Sequence, residues 1–346
     1  MTPKEANEFE RVMKNRPHVV MLGAGATMAA IPNGDKNGKR SSVMSGFIES
    51  LGMVEILKEV KLKTTSNNLE DIYSELHSRP ECDDIREELD RRIREYFSEL
   101  ELPDEPNIYD LLVLSLREKD IIATFNWDPL LLQAYQRASK ISGSLPDLAF
   151  LHGNVLVGYC RNHKCGGLLK ARCRECGQPF KEAPLLYPVA QKNYAADPYI
   201  QDNWKAIRNG LKKAYMVTVF GYSAPKTDVE AIDLLKAAWG AVDERELEEF
   251  EFIDICDEET LVSSWDRFVH SHHYQVHKSF FSSSLAKHPR RTTVELFDRT
   301  MNADFTDALR KFTPNMSWRD VESLIDQLVE EENNLPPDGF LVTPKA

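Results

Sequence analysis

An apolar run ends abruptly in a glycine turn near the start of this chain. Pro17-His-Val-Val-Met-Leu22 is followed by Gly23-Ala-Gly25-Ala-Thr27. A short run of that kind, with no polar alternation, fits a strand buried on both faces. Such strands belong to parallel sheets covered by helices. The pattern returns downstream. Ile121-Ile-Ala-Thr-Phe125, Tyr215-Met-Val-Thr-Val-Phe220 and Phe250-Glu-Phe-Ile-Asp-Ile-Cys256 read as strands, the last of them closing the sheet. Phe150-Leu151 ends another, and residues 185–189 are a further candidate. Helical periodicity lies between them at 128–140, 195–211 and 228–240, where Val229, Ile232, Leu235 and Trp239 share a face. Strands alternating with helices predict an α/β fold: a Rossmann-like parallel sheet with helices on both faces.

Two segments interrupt that alternation. From 43 to 117 the pattern is helical throughout, with Ile85, Leu89, Ile93 and Phe97 on one stripe, so a helical insertion separates the first two strands. From 158 to 182 the chain carries Cys160, Cys165, Cys173 and Cys176, with turn glycines at 166, 167 and 177. Two cysteine pairs on two knuckles have the spacing of a tetrahedral zinc ribbon, a closed and therefore structural site. His163 lies within the first pair as a substitute ligand of less usual geometry. The sheet domain is then discontinuous, over 1–42, 118–157 and 183–270. A C-terminal helical region of 271–346 follows, whose last helix opens at the capping signal Ser317-x-x-Asp320, with Val321, Leu324 and Leu328 on its stripe and a loose tail from Glu331. Residues 33–42 read as a mobile loop.

Composition narrows the function classes. The 346 residues are enough for a substantial core, and a formal net charge of -12 argues against a broad nucleic-acid or membrane surface. A local basic patch around Lys287, Arg290 and Arg291 stays open. No stretch reaches the roughly 20 apolar residues of a membrane helix, and the acidic N-terminus has no secretory core. Metal-ligand spacing in four cysteines, with Cys82 and Cys256 isolated, fits a reducing cytoplasm.

The strand ends carry the chemistry, because ligands of such sheets bind at the carboxyl edge. Gly23-x-Gly25 lets backbone approach a pyrophosphate, although Met28 stands where a dinucleotide fingerprint has its third glycine; a plain tight turn reads equally well. Thr124-x-Asn126-x-Asp128 ends the second strand. Asn126 can orient a ribose or a water, and Asp128 is placed to cap the helix that follows. His152-Gly153 ends the third, and an imidazole with an unperturbed pKa of about 6.5 suits a general base, or a structural role. Phe220-Gly221-Tyr222-Ser223 and Asp254 end later strands, where Asp228 caps a helix and an acid can meet an adenosine hydroxyl or simply be solvated.

Taken in order, Gly-Ala-Gly, Thr-x-Asn-x-Asp, His-Gly, four cysteines and Gly-Tyr-Ser resemble the sirtuin family over roughly residues 18–257. The resemblance implies an NAD-binding domain with a zinc ribbon and cleavage of the nicotinamide–ribose bond. It places Gly23, Ala24, Gly25 and Thr27 at the pyrophosphate and nearby ribose, and Asn126 and Asp128 in the nicotinamide-ribose pocket. His152 becomes the base, Gly221 and Ser223 cofactor contacts, and Asp254 a neighbour of the adenosine end.

The departures are as informative as the match. Ile31-Pro32 is followed by Asn33-Gly34-Asp35, without the Phe-Arg of deacylase sirtuins. After the cysteines the chain reads Leu185-Leu-Tyr-Pro188, without the Phe-Gly-Glu strand that pairs with an acyl-lysine peptide, and the gap between the cysteine pairs is short. This profile, with Tyr187, Pro188, Lys192, Tyr194, Pro198 and Trp204, resembles the sirtuin-like NAD hydrolases of bacterial anti-phage defence. The stretch from Trp265 to Arg291 resembles the tail of members that work beside a HerA-type hexameric ATPase. The expectation is an NAD-depleting hydrolase in a homo-oligomer. A protein-lysine deacylase and an NAD or ADP-ribose sensor without turnover are the alternatives.

Overall fold

The computed structural model describes residues 15–41, 46–187, 194, 197–222, 229–241, 245, 247–265, 268, 273–305, 309–335 and 341. Nine strands are described: β1 (His18–Leu22), β2 (Ile121–Thr124), β3 (Asp147–Phe150), β4 (Val157–Cys160), β5 (Cys165–Leu168), β6 (Lys181–Glu182), β7 (Met216–Phe220), β8 (Glu249–Ile253) and β9 (Tyr274–His277). Six of them form one sheet in the order β3-β2-β1-β7-β8-β9, and every pairing in it is parallel. The chain winds outward from β1 in one direction, then returns to β1's other side and winds outward again. That is the doubly wound order of a Rossmann-like sheet, and it puts the switch point between β1 and β7.

The apolar runs explain themselves in this arrangement. All five residues of β1 and of β7 are buried. Val20, Leu22 and Ile122 pack on one face with the helices at Phe47–Ser50, Leu69–His77, Asp83–Ser98, Ile108–Leu114 and Leu130–Ala138. Val19, Met21, Ile121 and Ala123 pack on the other with Pro198–Lys213, Val229–Trp239 and Glu258–Trp265. Alternate side chains thus feed two cores, which is why no polar alternation was visible.

Several sequence expectations change. Of the candidate strand at 185–189, residues 185–187 form no strand and 188–189 lie outside the described residues, while β9 is a strand the sequence reading missed, so the sheet continues past residue 270. All four β9 residues are half-buried, as an edge strand's are, and Tyr-Gln-Val-His carries no apolar run. The loop at 33–41 is tied down: Asp35 accepts from the backbone N–H groups of Asn37, Lys39 and Glu101.

A further change concerns the supposed basic patch. Arg290 and Arg291 are each 1% exposed. Arg290 grips the Glu332 carboxylate with two nitrogens, at 2.8 and 2.6 Å, and Arg291 adds a third contact at 2.6 Å. Arg290 also donates to the carbonyls of Leu116 and Ser144. The charges are a staple that fixes helix Trp318–Asn333 to the sheet domain. That helix has the capping box expected at Ser317 and Asp320, and it buries Val321, Ile325 and Leu328. It runs on to Asn333, so the tail expected to be loose from Glu331 is helical there, with Glu332 held by the arginine pair. No described helix is long and apolar enough to cross a membrane.

Candidate functional site

The switch point is closed by three glycines. The Gly23 N–H donates to the carbonyl of Phe220, and the Gly25 N–H to that of Gly221, at 3.0 and 2.9 Å. A Cβ on Gly23 would lie 2.5 Å from Gly221 O, one on Gly25 2.8 Å from Gly221 Cα, and one on Gly221 2.3 Å from Ala26 N. Gly221 also has φ +60°, a left-handed backbone that favours glycine. The turn is therefore built for backbone contact between β1 and β7. Gly23 is buried, Gly25 is half-buried, and Ala24 is the exposed corner of the turn toward the crevice.

Beside it, the Asn126 loop is knotted into the turn by a buried polar network. Asn126 Nδ2 donates to Gly23 O at 2.8 Å and to Thr27 Oγ1 at 3.0 Å. Thr27 Oγ1 donates to Asp128 Oδ2 at 2.7 Å, and Asp128 Oδ1 accepts from the Leu130 N–H. Asp128 thus caps the next helix as expected. Both its oxygens and the Thr27 hydroxyl are engaged internally, so these two side chains form the floor of the crevice rather than reaching into it. Burial pushes the Asp128 carboxyl above its ordinary value. Both amide hydrogens of Asn126 are engaged too, which leaves Oδ1, an acceptor, as the atom it has to offer. Two residues of this network were not picked out from the sequence. Tyr109 places its hydroxyl 2.8 Å from Thr27 Oγ1, and fully buried Asn154 holds the loop through Asp128 O at 2.6 Å.

His152 follows β3, the neighbour of β2. The Leu151 carbonyl before it accepts from Trp204 Nε1 at 3.1 Å, and its own carbonyl accepts from the Leu186 N–H at 2.9 Å. Its ring meets the edge of Phe125 at 5.0 Å between centroids, and Nε2 lies 3.2 Å from the Tyr194 hydroxyl. Phe125 in turn stacks on Tyr222 at 4.1 Å. The ends of β2, β3 and β7 therefore share one aromatic wall, and His152 stands in it. Gly153 is forced: φ is +85°, and a Cβ would sit 2.1 Å from Pro184 O. We expect Gly153→Ala to destabilise the protein by ~2 kcal/mol. A denaturation midpoint unchanged by this substitution would show that segment 184–186 is not held against His152 as described.

Asp254 lies farther out, at the end of β8, where its Oδ1 accepts from the Cys256 N–H in a local turn. No described contact joins it to Asn126 or His152. Ser223, with Asp228, Pro188 and Lys192, lies outside the described residues.

The cysteine module is a three-stranded antiparallel sheet in the order β5-β4-β6, with Cys160 paired to Cys165 across a hairpin. Cys160 and Cys176 sulfurs are 3.8 Å apart, and those of Cys165 and Cys173 3.6 Å. Sulfurs around a tetrahedral zinc, bonded at about 2.3 Å, stand roughly 3.8 Å apart, so the spacing fits the ion. The described group whose ligand atoms all lie within 4.8 Å of one another is Cys160, His163, Cys173 and Cys176. His163 Nδ1 is 3.6 Å from both Cys160 and Cys173 sulfurs, so in this group the imidazole stands where the sequence reading had Cys165, which lies outside it although its sulfur is near that of Cys173. Lys164, at φ +48°, makes the turn after it. Backbone N–H groups of Cys176 and Glu175 hold the Cys173 thiol down to about 6, against the effect of burial. Metal analysis should find about one zinc per chain. Cys173→Ser, which deletes the sulfur beside both Cys165 and His163, should abolish it; a variant still holding zinc would exclude this centre.

No protein-family model matches this sequence, and no curated protein matches it. Solved structures do match along most of the chain, Sir2 proteins among them. One, from a study of the mechanism and regulation of Sir2 enzymes, has a TM-score of 0.41 at 17% identity, covering 88% of this chain and 100% of that one. A Sir2 homologue in complex with NAD has a TM-score of 0.39 at 13% identity, over 86% of this chain and 94% of that one. Sir2 bound to acetylated peptide has a TM-score of 0.38 at 16% identity, over 88% and 98%.

Proposed function

We propose that this chain hydrolyses NAD to nicotinamide and ADP-ribose, as a regulated NAD-depleting effector of anti-phage defence. The observation that carries the hydrolase reading is the pairing of a fixed acceptor, Asn126 Oδ1, with an imidazole, His152, at the ends of adjacent strands beside the switch point. Ala24, exposed on the Gly23–Gly25 turn, is where a pyrophosphate would approach the backbone.

The chemistry needs little covalent help from the protein. As the bond between the nicotinamide nitrogen and the ribose C1′ breaks, its electron pair stays with the ring nitrogen and neutralises the pyridinium. The ribose becomes oxocarbenium-like. A water oxygen bonds to C1′ from the opposite face and gives its proton to His152. Asn126 Oδ1 accepts from that water, or from a ribose hydroxyl, and fixes its direction. The aromatic wall of Phe125, Tyr194 and Tyr222 keeps bulk water away from the imidazole.

The segment after the ribbon favours hydrolysis over deacylation. A peptide substrate would need a free strand edge there. The Ala183 N–H is bonded to Val157 O, the Leu186 N–H to His152 O, and the Ala183 carbonyl accepts from Arg94 at 3.0 Å. Tyr187 is stacked on Tyr73 of the helical block at 4.5 Å. The chain's own residues thus take up backbone groups a bound peptide would use.

An NAD hydrolase must be held in check, so we assign the helical block and the C-terminal helices to self-assembly or to a partner, a HerA-type ATPase in the first instance. The test is product analysis of NAD incubated with the purified protein. Nicotinamide and ADP-ribose appearing without acylated peptide support the reading, and co-purified partners reveal the trigger. Turnover only with an acyl-lysine peptide would favour the deacylase, and tight NAD binding without turnover under every condition the sensor.

A further inference from the structure

We infer that Tyr109 is a positioning residue of the NAD-cleaving site, acting on Asn126 through Thr27. The inference rests on the hydrolase reading above and adds a residue to it. Tyr109 belongs to helix Ile108–Leu114 of the block between β1 and β2, not to any strand end. The helix start is fixed by a capping box, in which Asn107 and Asp110 exchange hydrogen bonds with each other's backbone. Tyr109 is 1% exposed, within the apolar cluster of that face. Its hydroxyl leaves that cluster and meets Thr27 Oγ1 at 2.8 Å and Asn126 Nδ2 at 3.4 Å.

The directions of the protons follow from the contacts of Asp128. Its Oδ1 accepts from the Leu130 N–H and its Oδ2 accepts from Thr27, so the Thr27 hydroxyl spends its single hydrogen on Asp128 at 2.7 Å. Thr27 Oγ1 is then an acceptor toward its other two neighbours. It takes one hydrogen from Asn126 Nδ2 at 3.0 Å and one from the Tyr109 hydroxyl. Burial raises the Tyr109 phenol well above its ordinary value, so it remains a neutral donor. The long contact with Asn126 Nδ2 uses a Tyr109 lone pair. With Gly23 O taking the other amide hydrogen, the carboxamide cannot flip without setting Oδ1, an acceptor, against the acceptors Gly23 O and Thr27 Oγ1. Tyr109 therefore fixes the place of Thr27 Oγ1, which together with Gly23 O keeps Oδ1, and not Nδ2, available to the reacting water or ribose hydroxyl. It also makes helix Ile108–Leu114 a direct mechanical neighbour of the reaction centre.

The test is Tyr109→Phe, which keeps the ring and removes the donor. The expected result is a fall in kcat of about tenfold to a hundredfold, with KM within about twofold of wild type. In an Asn126→Ala background the same substitution should cause no further loss, because its effect passes through that carboxamide. A merely structural tyrosine would lower the melting temperature and leave kcat and the coupling unmoved. If kcat of Tyr109→Phe stays within about twofold of wild type, or the two losses multiply, the role of Tyr109 is overturned while the hydrolase reading stands. If wild-type protein forms no ADP-ribose from NAD, both fall. Should Tyr109→Phe be too unstable to assay, Thr27→Val must show the same kcat-selective loss, and a change in KM or melting temperature alone overturns the inference.

Discussion

His152→Ala should lower NAD turnover by about 10²–10⁴-fold, the range lost when a positioned general base is removed. Asn126→Ala should fall as far or farther, since it takes away the acceptor and also two bonds that hold the loop to Gly23 and Thr27. The two variants separate by a second measurement. His152→Ala leaves the Gly23–Asn126–Thr27 network whole, so ADP-ribose should bind it about as tightly as wild type. Asn126→Ala loosens the floor of the crevice, and ADP-ribose should bind more weakly. Circular dichroism must show both folded. If each variant keeps near-wild-type NAD loss, the reaction does not happen at this pair of strand ends.

Glu332→Ala should destabilise the protein by about 3–5 kcal/mol, the cost of leaving buried cations without their counter-ion. Arg290 and Arg291 both close on that one carboxylate from positions almost without solvent. Burial pushes the Glu332 carboxyl upward, but the Arg290 and Arg291 guanidiniums more than offset this and hold it below its ordinary value. The sign of the pH effect follows. A carboxyl with a depressed folded pKa contributes stability above the unfolded pKa of about 4.3, and the contribution is lost as pH falls through the folded value. Urea unfolding at pH 7 and pH 4 reads both effects. A Glu332→Ala midpoint matching wild type at pH 7 would mean that the staple carries no net stability. Replacing all three residues by apolar ones of similar volume should be far milder than deleting the acid alone.

What was legible in the sequence follows the physics of burial. β1, β2 and β7 are runs of residues buried on both sides, and they stand out as largely apolar stretches, while β8 is equally buried but alternates Glu249 and Glu251 with phenylalanines. β9 was missed because an edge strand of half-buried residues has no such run. The arginine pair was misread for a related reason. A cluster of positive charge in sequence looks like surface, and its counter-ion lies about 40 residues away on another helix. Asn126 and His152 were visible as polar residues at the ends of apolar strands. Tyr109 was not, because within Ile-Tyr-Asp-Leu-Leu it reads as an ordinary core aromatic. Its partner Thr27 is 82 positions away, and only the folded chain joins them. The polar partners that fix Asp128 in the floor were hidden in the same manner, since Thr27 is 101 positions from it.

The three glycines between β1 and β7 have a mechanical consequence. Their backbones touch with no side chain between them, and two N–H bonds cross the seam. A joint of that kind has no slack to give up and no lever by which to pry it open. If the chain takes a dinucleotide as proposed, the parts left free to adjust are at the rim: the helical block, and the segment behind His152. A regulator that grips the helical block would then hold the side of the site that carries Tyr109.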